Sequence, residues 1–176
     1  EYGGQFESEE RATRMLLITS IGAILLIFLL LYMEFNNLGL AAIVLMNLPL
    51  ALIGGVFIVY FTTGIISIAS TIGFISLFGI AARNGILLVS RYQVLQEEGL
   101  TLRETIIEGS LDRLNPILMT ALTTGLALIP LALAGGQAGN EIQSPMAIVI
   151  LGGLISSTFL NLVVIPAIFK WRNLGK

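Results

Sequence analysis

The sequence predicts an all-α membrane protein, with five transmembrane helices plus one short amphipathic helix on the cytoplasmic surface. Two observations carry that reading. Of the 176 residues, 56% are hydrophobic and only 11% are charged, whereas soluble domains carry about 25% charged residues. The charges are also segregated. The stretches 15–32, 38–60, 66–90, 116–134 and 145–169 hold a single charge, Arg83, and every other charge falls in the gaps. A helix crosses the hydrocarbon core with about 20 apolar residues, in a range of roughly 17–25, and each stretch fits.

The elements follow in order. Residues 1–14 are polar, with four Glu and two Arg, and precede span one. They lack the basic-then-apolar pattern of a signal peptide and read as the tail of a longer preceding segment. The short connection 33–37 makes spans one and two an antiparallel hairpin. Span two carries Asn47, Pro49, Gly54 and Gly55, and Thr62, Thr63 and Gly64 mark the turn after it. In the segment 91–115, Thr101 and Glu104 have capping-box spacing. Leu102, Ile106 and Ile107 then alternate with Glu104 and Glu108, so a surface helix is expected over about 101–113. Span four is expected to begin at Asn115-Pro116. The connection 135–144 holds Gly135, Gly136, Gly139 and Asn140, which interrupt helices. Ser144-Pro145 is expected to start span five, with Ser as the cap and Pro at the first helical position. Residues 170–176 form a tail. No internal repeat is present.

Composition excludes several functions. The net charge is −2, so no basic patch marks a nucleic-acid partner. There is no Cys and no His, which removes thiolate chemistry, the commonest general base and the commonest transition-metal ligands. No metal site and no cofactor are expected in this chain. The single Asp, Asp112, lies outside the spans, which excludes a paired-aspartate intramembrane protease. With five spans the termini lie on opposite sides. One side holds Arg11 and Arg14; the other holds Arg91, Arg103, Arg113, Lys170, Arg172 and Lys176. Cytoplasmic segments carry the excess of Lys and Arg, so the N-terminus is expected outside and the C-terminus in the cytoplasm.

Polar residues within the spans are the candidate functional ones. Arg83 lies seven residues before Ser90, about 10 Å from the cytoplasmic end of span three. A charge there costs on the order of 2.5–3.5 kcal/mol on insertion scales. Two readings stand: a side chain snorkelling to the headgroups, or one that meets an acidic partner within the protein. Ser76 and Gly79 on the same face, and Asn84 next door, favour the second. The carboxylate it needs is absent from the spans. Arg113 and Thr120 lie two turns apart on one face of span four, continued by Thr124. A Thr hydroxyl can relay a proton or bond its own backbone, and spacing alone favours backbone bonding. Gly153, Ser157 and Asn161 form an i, i+4, i+8 stripe, and Gly152 with Ser156 repeats it. These residues, with Gly54 and Gly55, are expected to let helices approach closely. Met15, Met46, Met119 and Met146 are isolated and read as packing rather than as soft-metal ligands.

Three motifs together resemble one family. The run Gly79-Ile80-Ala81-Ala82-Arg83-Asn84-Gly85-Ile86-Leu87-Leu88 is similar to the tenth membrane helix of resistance-nodulation-division (RND) efflux pumps. There a Lys or Arg precedes Asn and an apolar run. Arg113-Leu114-Asn115-Pro116-Ile117-Leu118-Met119-Thr120 resembles the start of their eleventh helix. Gly139-Asn140-Glu141-Ile142-Gln143-Ser144-Pro145-Met146-Ala147 with Ile150-Leu151-Gly152-Gly153-Leu154, and the opening Tyr2-Gly3-Gly4-Gln5-Phe6-Glu7, resemble the heavy-metal-efflux branch.

The resemblance implies a proton-driven antiporter of the bacterial inner membrane. It is a homotrimer working with a periplasmic adaptor and an outer-membrane channel. On this reading the chain is the C-terminal membrane part, embedded in the bilayer, with residues 1–14 ending a periplasmic segment. Its N-terminal half, with the acidic partners on the fourth helix, is missing, so it is not transport-competent alone. Arg83, Asn84, Arg113 and Thr120 are then expected in the proton-relay neighbourhood. Two departures matter. Arg83 replaces a common Lys and stays charged at any relevant pH, so it suits a fixed counter-charge. Asn115 stands where the family has a second Arg. The alternatives are a helical assembly module without transport, or an RND relative that exports drugs or lipids.

Overall fold

A computed structural model describes residues 2–62 and 64–173. Thr63 of the expected turn, Glu1, and residues 174–176 of the tail, Lys176 among them, lie outside the described residues. The chain forms five long helices in sequence: α1 Tyr2–Phe35, α2 Leu38–Thr62, α3 Ile68–Glu97, α4 Leu102–Leu133 and α5 Gln143–Asn173. All five are long and apolar enough to cross a membrane, and each overlaps one of the five expected spans.

The helices extend beyond the spans, and the reason is physical. Hydropathy marks what leaves water; helicity continues into water wherever the local sequence supports it. The stretch Glu7–Arg14 is rich in Glu and Arg, both good helix formers, so α1 runs on into the polar opening. The stretch expected as a separate surface helix is helical but forms the first turns of α4. It is continuous with span four, so Asn115 caps nothing. Pro116 lies inside this helix, where a membrane helix tolerates the freed carbonyl when neighbours re-satisfy it. The α4 start is set by Thr101. Its backbone N–H donates to Glu104 Oε2 at 3.0 Å, while Glu104 N–H donates to Thr101 Oγ1 at 3.4 Å. That is the capping box the spacing called for.

Span five also starts differently from its expected Ser-Pro cap. The helix begins at Gln143, and the Ser144 hydroxyl instead donates to the Ala132 carbonyl at 3.2 Å. Ser144 thus ties the start of α5 back to the end of α4. Pro145 falls in the first turn of α5, where its missing N–H costs nothing. Between α3 and α4 the reversal is a Schellman motif. Gly99 N–H donates to Gln96 O at 3.1 Å and Leu100 N–H to Leu95 O at 3.2 Å. Gly99 sits at φ 89°, a conformation that favours glycine.

α5 is the axis of the bundle, packing against α2, α3 and α4, while α1 leans on α2 and α3 only. One core cluster joins Val44, Leu88, Val89, Tyr92, Ile165 and Phe169. A second joins Leu48, Ala51, Leu77, Phe78, Ala81 and Ala82. The spans of α1 and α4 are almost unburied. Their apolar side chains, such as Leu25, Leu29, Leu122 and Leu126, are exposed, as suits helices that face lipid or further helices.

Candidate functional site

The α3–α4 hairpin sets the geometry around Arg83. Near its closed end Arg91 holds Asp112 in a fork, with Nε and Nη2 donating to Oδ2 at 2.8 and 2.7 Å. One residue on, the hydroxyls of Tyr92 and Ser110 share a 2.6 Å hydrogen bond. Gly109 lets Tyr92 approach; a Cβ there would lie 2.8 Å from the ring Cε1. These contacts fix an antiparallel register. Arg83 lies eight residues from Arg91, and Thr120 lies eight residues from Asp112, in the same direction. Both are therefore at one height, about 12 Å from the Arg91–Asp112 pair.

Arg83 is exposed on a stripe with Ser76 and Gly79, and the opposite face of α3 is buried through Leu77, Ala81 and Leu88. Among the described residues no hydrogen bond or ion pair engages its guanidinium. Asn84 points the other way. It is only 3% exposed, and its Nδ2 has no partner. Arg113 is half-buried, with Nε enclosed and unpartnered. The Thr120 hydroxyl donates to the Pro116 carbonyl at 2.9 Å, the backbone bond that its spacing favoured. By helical count Arg83 and Thr120 lie equally far from the Arg91–Asp112 pair, no hydrogen bond joins them, and Asn84 lies inside the bundle instead of beside Arg83.

The expected packing residues lie where α2, α3 and α5 meet. A Cβ on Gly54 would run into Ser156 Oγ and the Gly152 carbonyl. A Cβ on Gly55 would meet Phe74 at 2.7 Å, and one on Gly153 would overlap Leu77 Cδ2. Ser157 is fully buried and donates to Leu154 O at 3.2 Å. Ser156 reaches across to Ala51 O at 3.1 Å. Asn161 accepts a 2.6 Å bond from Asn47. Pairing of residues so far apart in sequence was not visible beforehand. The same is true of Arg172, whose Nη2 donates to Asn37 Oδ1 at 2.9 Å. Among the described residues, no three of His, Cys, Asp and Glu gather where a metal ion could bind.

Comparison with known proteins places this architecture. A family model described as AcrB/AcrD/AcrF matches residues 1–171. The nickel-cobalt-cadmium resistance protein NccA of Alcaligenes xylosoxydans xylosoxydans is 42% identical over 168 residues, covering 96% of this chain and 16% of NccA. The cobalt-zinc-cadmium resistance protein CzcA of Cupriavidus metallidurans is 40% identical over 169 residues, again 96% of this chain and 16% of the relative. A crystal structure of a heavy metal efflux pump superposes with a TM-score of 0.85 at 38% identity, covering 97% of this chain and 16% of that one. The chain spans about one sixth of the length of these relatives.

Proposed function

The chain belongs to the AcrB/AcrD/AcrF family, and from that premise we propose that it supplies five membrane helices of a proton-driven pump exporting heavy-metal cations. The observation that carries the reading is Arg83. It is the one charge within the apolar spans, it is exposed on the surface of the bundle, and among the described residues no ion pair engages it. Such a charge calls for a counter-ion from outside these five helices.

The mechanism follows from fixed charge. Arg83 stays protonated, so the titrating group is an acid from the rest of the pump. When that acid is ionised, it pairs with Arg83. At 4 Å and an effective dielectric of 20 the attraction is about 4 kcal/mol. Protonation removes it and frees α3 to shift against the partner helices. Thr120, level with Arg83, offers oxygen lone pairs to the protonated acid. Arg113, on the same α4 face and nearer the hairpin end, adds positive potential. Asn84, buried behind Arg83, keeps a free amide donor inside the bundle. The excess of Lys and Arg on the C-terminal side puts the C-terminus in the cytoplasm and the opening of α1 in the periplasm. The metal itself, the homotrimer, the periplasmic adaptor and the outer-membrane channel belong to the rest of the assembly.

The test is Arg83→Ala in the intact pump, scored as metal resistance of cells with expression and membrane insertion verified. Loss of resistance at normal expression supports the counter-charge role. Unchanged resistance refutes it.

A further inference from the structure

We propose that the groove between the N-terminal end of α2 and the C-terminal end of α5 is a binding site for an anionic phospholipid of the cytoplasmic leaflet. The groove is open to the side, encloses about 630 Å³, and is walled by Ala42, Ile43, Met46 and Ile168. Those walls are apolar and suit an acyl chain. At the groove's polar end lie Trp171 and Arg172. Trp171 is 78% exposed, and an indole in that position marks the level of lipid headgroups.

Charge selects the occupant. The Arg172 guanidinium lies flat on the first turn of α2, where a Cβ on Gly39 would be 3.0 Å from Nε. Its described partner is Asn37 Oδ1, a neutral oxygen that already accepts Gly39 N–H at 3.0 Å. Among the described residues neither Arg172 nor Lys170 has an ion pair. The α2 N-terminus carries partial positive charge and offers no neutralisation. Lys170 also lines a neighbouring apolar groove with Arg103, so both grooves end in cations. Basic pockets between membrane helices on the cytoplasmic side recognise anionic headgroups, at about 1 kcal/mol per Lys or Arg near the surface. A phosphodiester at Arg172, with its acyl chain along Ile43 and Met46, satisfies both ends of the groove. The inference needs a bilayer around the chain and does not depend on proton coupling.

The experiment is lipid binding to the intact pump in detergent, read by native mass spectrometry with phosphatidylglycerol and phosphatidylcholine as probes. The wild type is expected to prefer phosphatidylglycerol by about fivefold or more. Arg172→Gln lowers that preference about fivefold, and Arg172→Lys retains it because the charge remains. Ala42→Phe, at an exposed groove position, lowers binding of both lipids by filling the wall, and it tests the site even where Arg172→Gln fails to fold. Equal binding of the two lipids by the wild type overturns the proposal. So does a preference that survives Arg172→Gln, or Ala42→Phe binding both lipids as the wild type does, which is the outcome if another part of the pump covers the groove. Metal resistance of Arg83→Ala reads a different property, so failure of one reading leaves the other standing.

Discussion

Asn47 of α2 donates a hydrogen bond from Nδ2 to Oδ1 of Asn161 on α5 at 2.6 Å, and both side chains are fully buried, at 1% and 0% exposure. The bond joins the two helices at the axis of the bundle. Each amide keeps one unpartnered atom, Asn47 Oδ1 and Asn161 Nδ2. A single Asn→Leu change therefore strands the other amide, while the double change removes both polar groups. Asn47→Leu and Asn161→Leu should each destabilise the bundle, and the double variant should recover part of the loss. A double-mutant cycle on thermal or denaturant unfolding in detergent should give a coupling of about 0.6 kcal/mol, with about 1.7 as an upper figure. Additive single effects would show that the bond contributes nothing.

The close approach of α5 to α2 and to α3 makes a second, sharper prediction. Gly54→Ala drives a methyl into Ser156 and the Gly152 carbonyl, and Gly153→Ala drives one into Leu77. Backbone cannot yield as a flexible side chain can, so Gly54→Ala should cost more of the two, within about 1–3 kcal/mol for overpacking. Gly79 on the exposed stripe of α3 is the control, since a Cβ there meets nothing within 4 Å. Gly79→Ala should be neutral or stabilising by about 0.5–1 kcal/mol. Melting temperatures of the three variants in one detergent decide the matter; equal effects at all three positions would reject the close-approach explanation.

Reading outcomes such as these from sequence alone has a physical boundary. All five spans were legible because about twenty apolar residues leave water together, whatever they pack against. The helical ends were not, because hydropathy is silent about Glu7–Arg14 and about the continuity of 102–133 through Pro116. Small residues announced that helices approach closely at α2 and at α5, yet not that these two meet, with Gly54 against Gly152. Local spacing revealed the Thr101–Glu104 box, since both groups lie on one turn. Asn47 with Asn161, and Asn37 with Arg172, are pairings of distant residues that only the packed bundle defines. For Arg83 the sequence told its cost and not its direction, because a helix face is assigned by its neighbours.

The Thr101–Glu104 box predicts a pH dependence at the start of α4, a stretch outside its apolar span. Hydrogen bonds from the Thr101 hydroxyl and backbone hold the Glu104 carboxyl below its ordinary value. A depressed carboxyl stabilises the fold above the unfolded value of about 4.3, and that contribution is lost as pH falls through the folded one. Amide protection over 104–106, corrected for intrinsic exchange, should hold from neutral pH down to about 5 and weaken below about 4. Glu104→Gln should remove the acid sensitivity. Thr101→Ala should lower protection at every pH, in line with a cap worth about 1 kcal/mol. A Glu104→Gln profile with the same acid loss would move the titration to another group.

Thr120 separates backbone bonding from proton relay. Its hydroxyl already gives its proton to the Pro116 carbonyl at 2.9 Å, so what it has left to offer is lone pairs, able to accept from a protonated acid. Thr120→Val keeps the shape and removes both functions; Thr120→Ser keeps the hydroxyl and drops the methyl. The backbone bond alone is worth little, about 0.6 kcal/mol for a typical membrane hydrogen bond, so both variants should fold and insert as the wild type does. If Thr120 receives the proton-bearing partner of Arg83, the Val variant loses proton-coupled metal transport in everted membrane vesicles while the Ser variant keeps it. Equal transport by Val, Ser and wild type would confine Thr120 to satisfying the carbonyl at Pro116, and the acceptor beside Arg83 would then have to come from another helix.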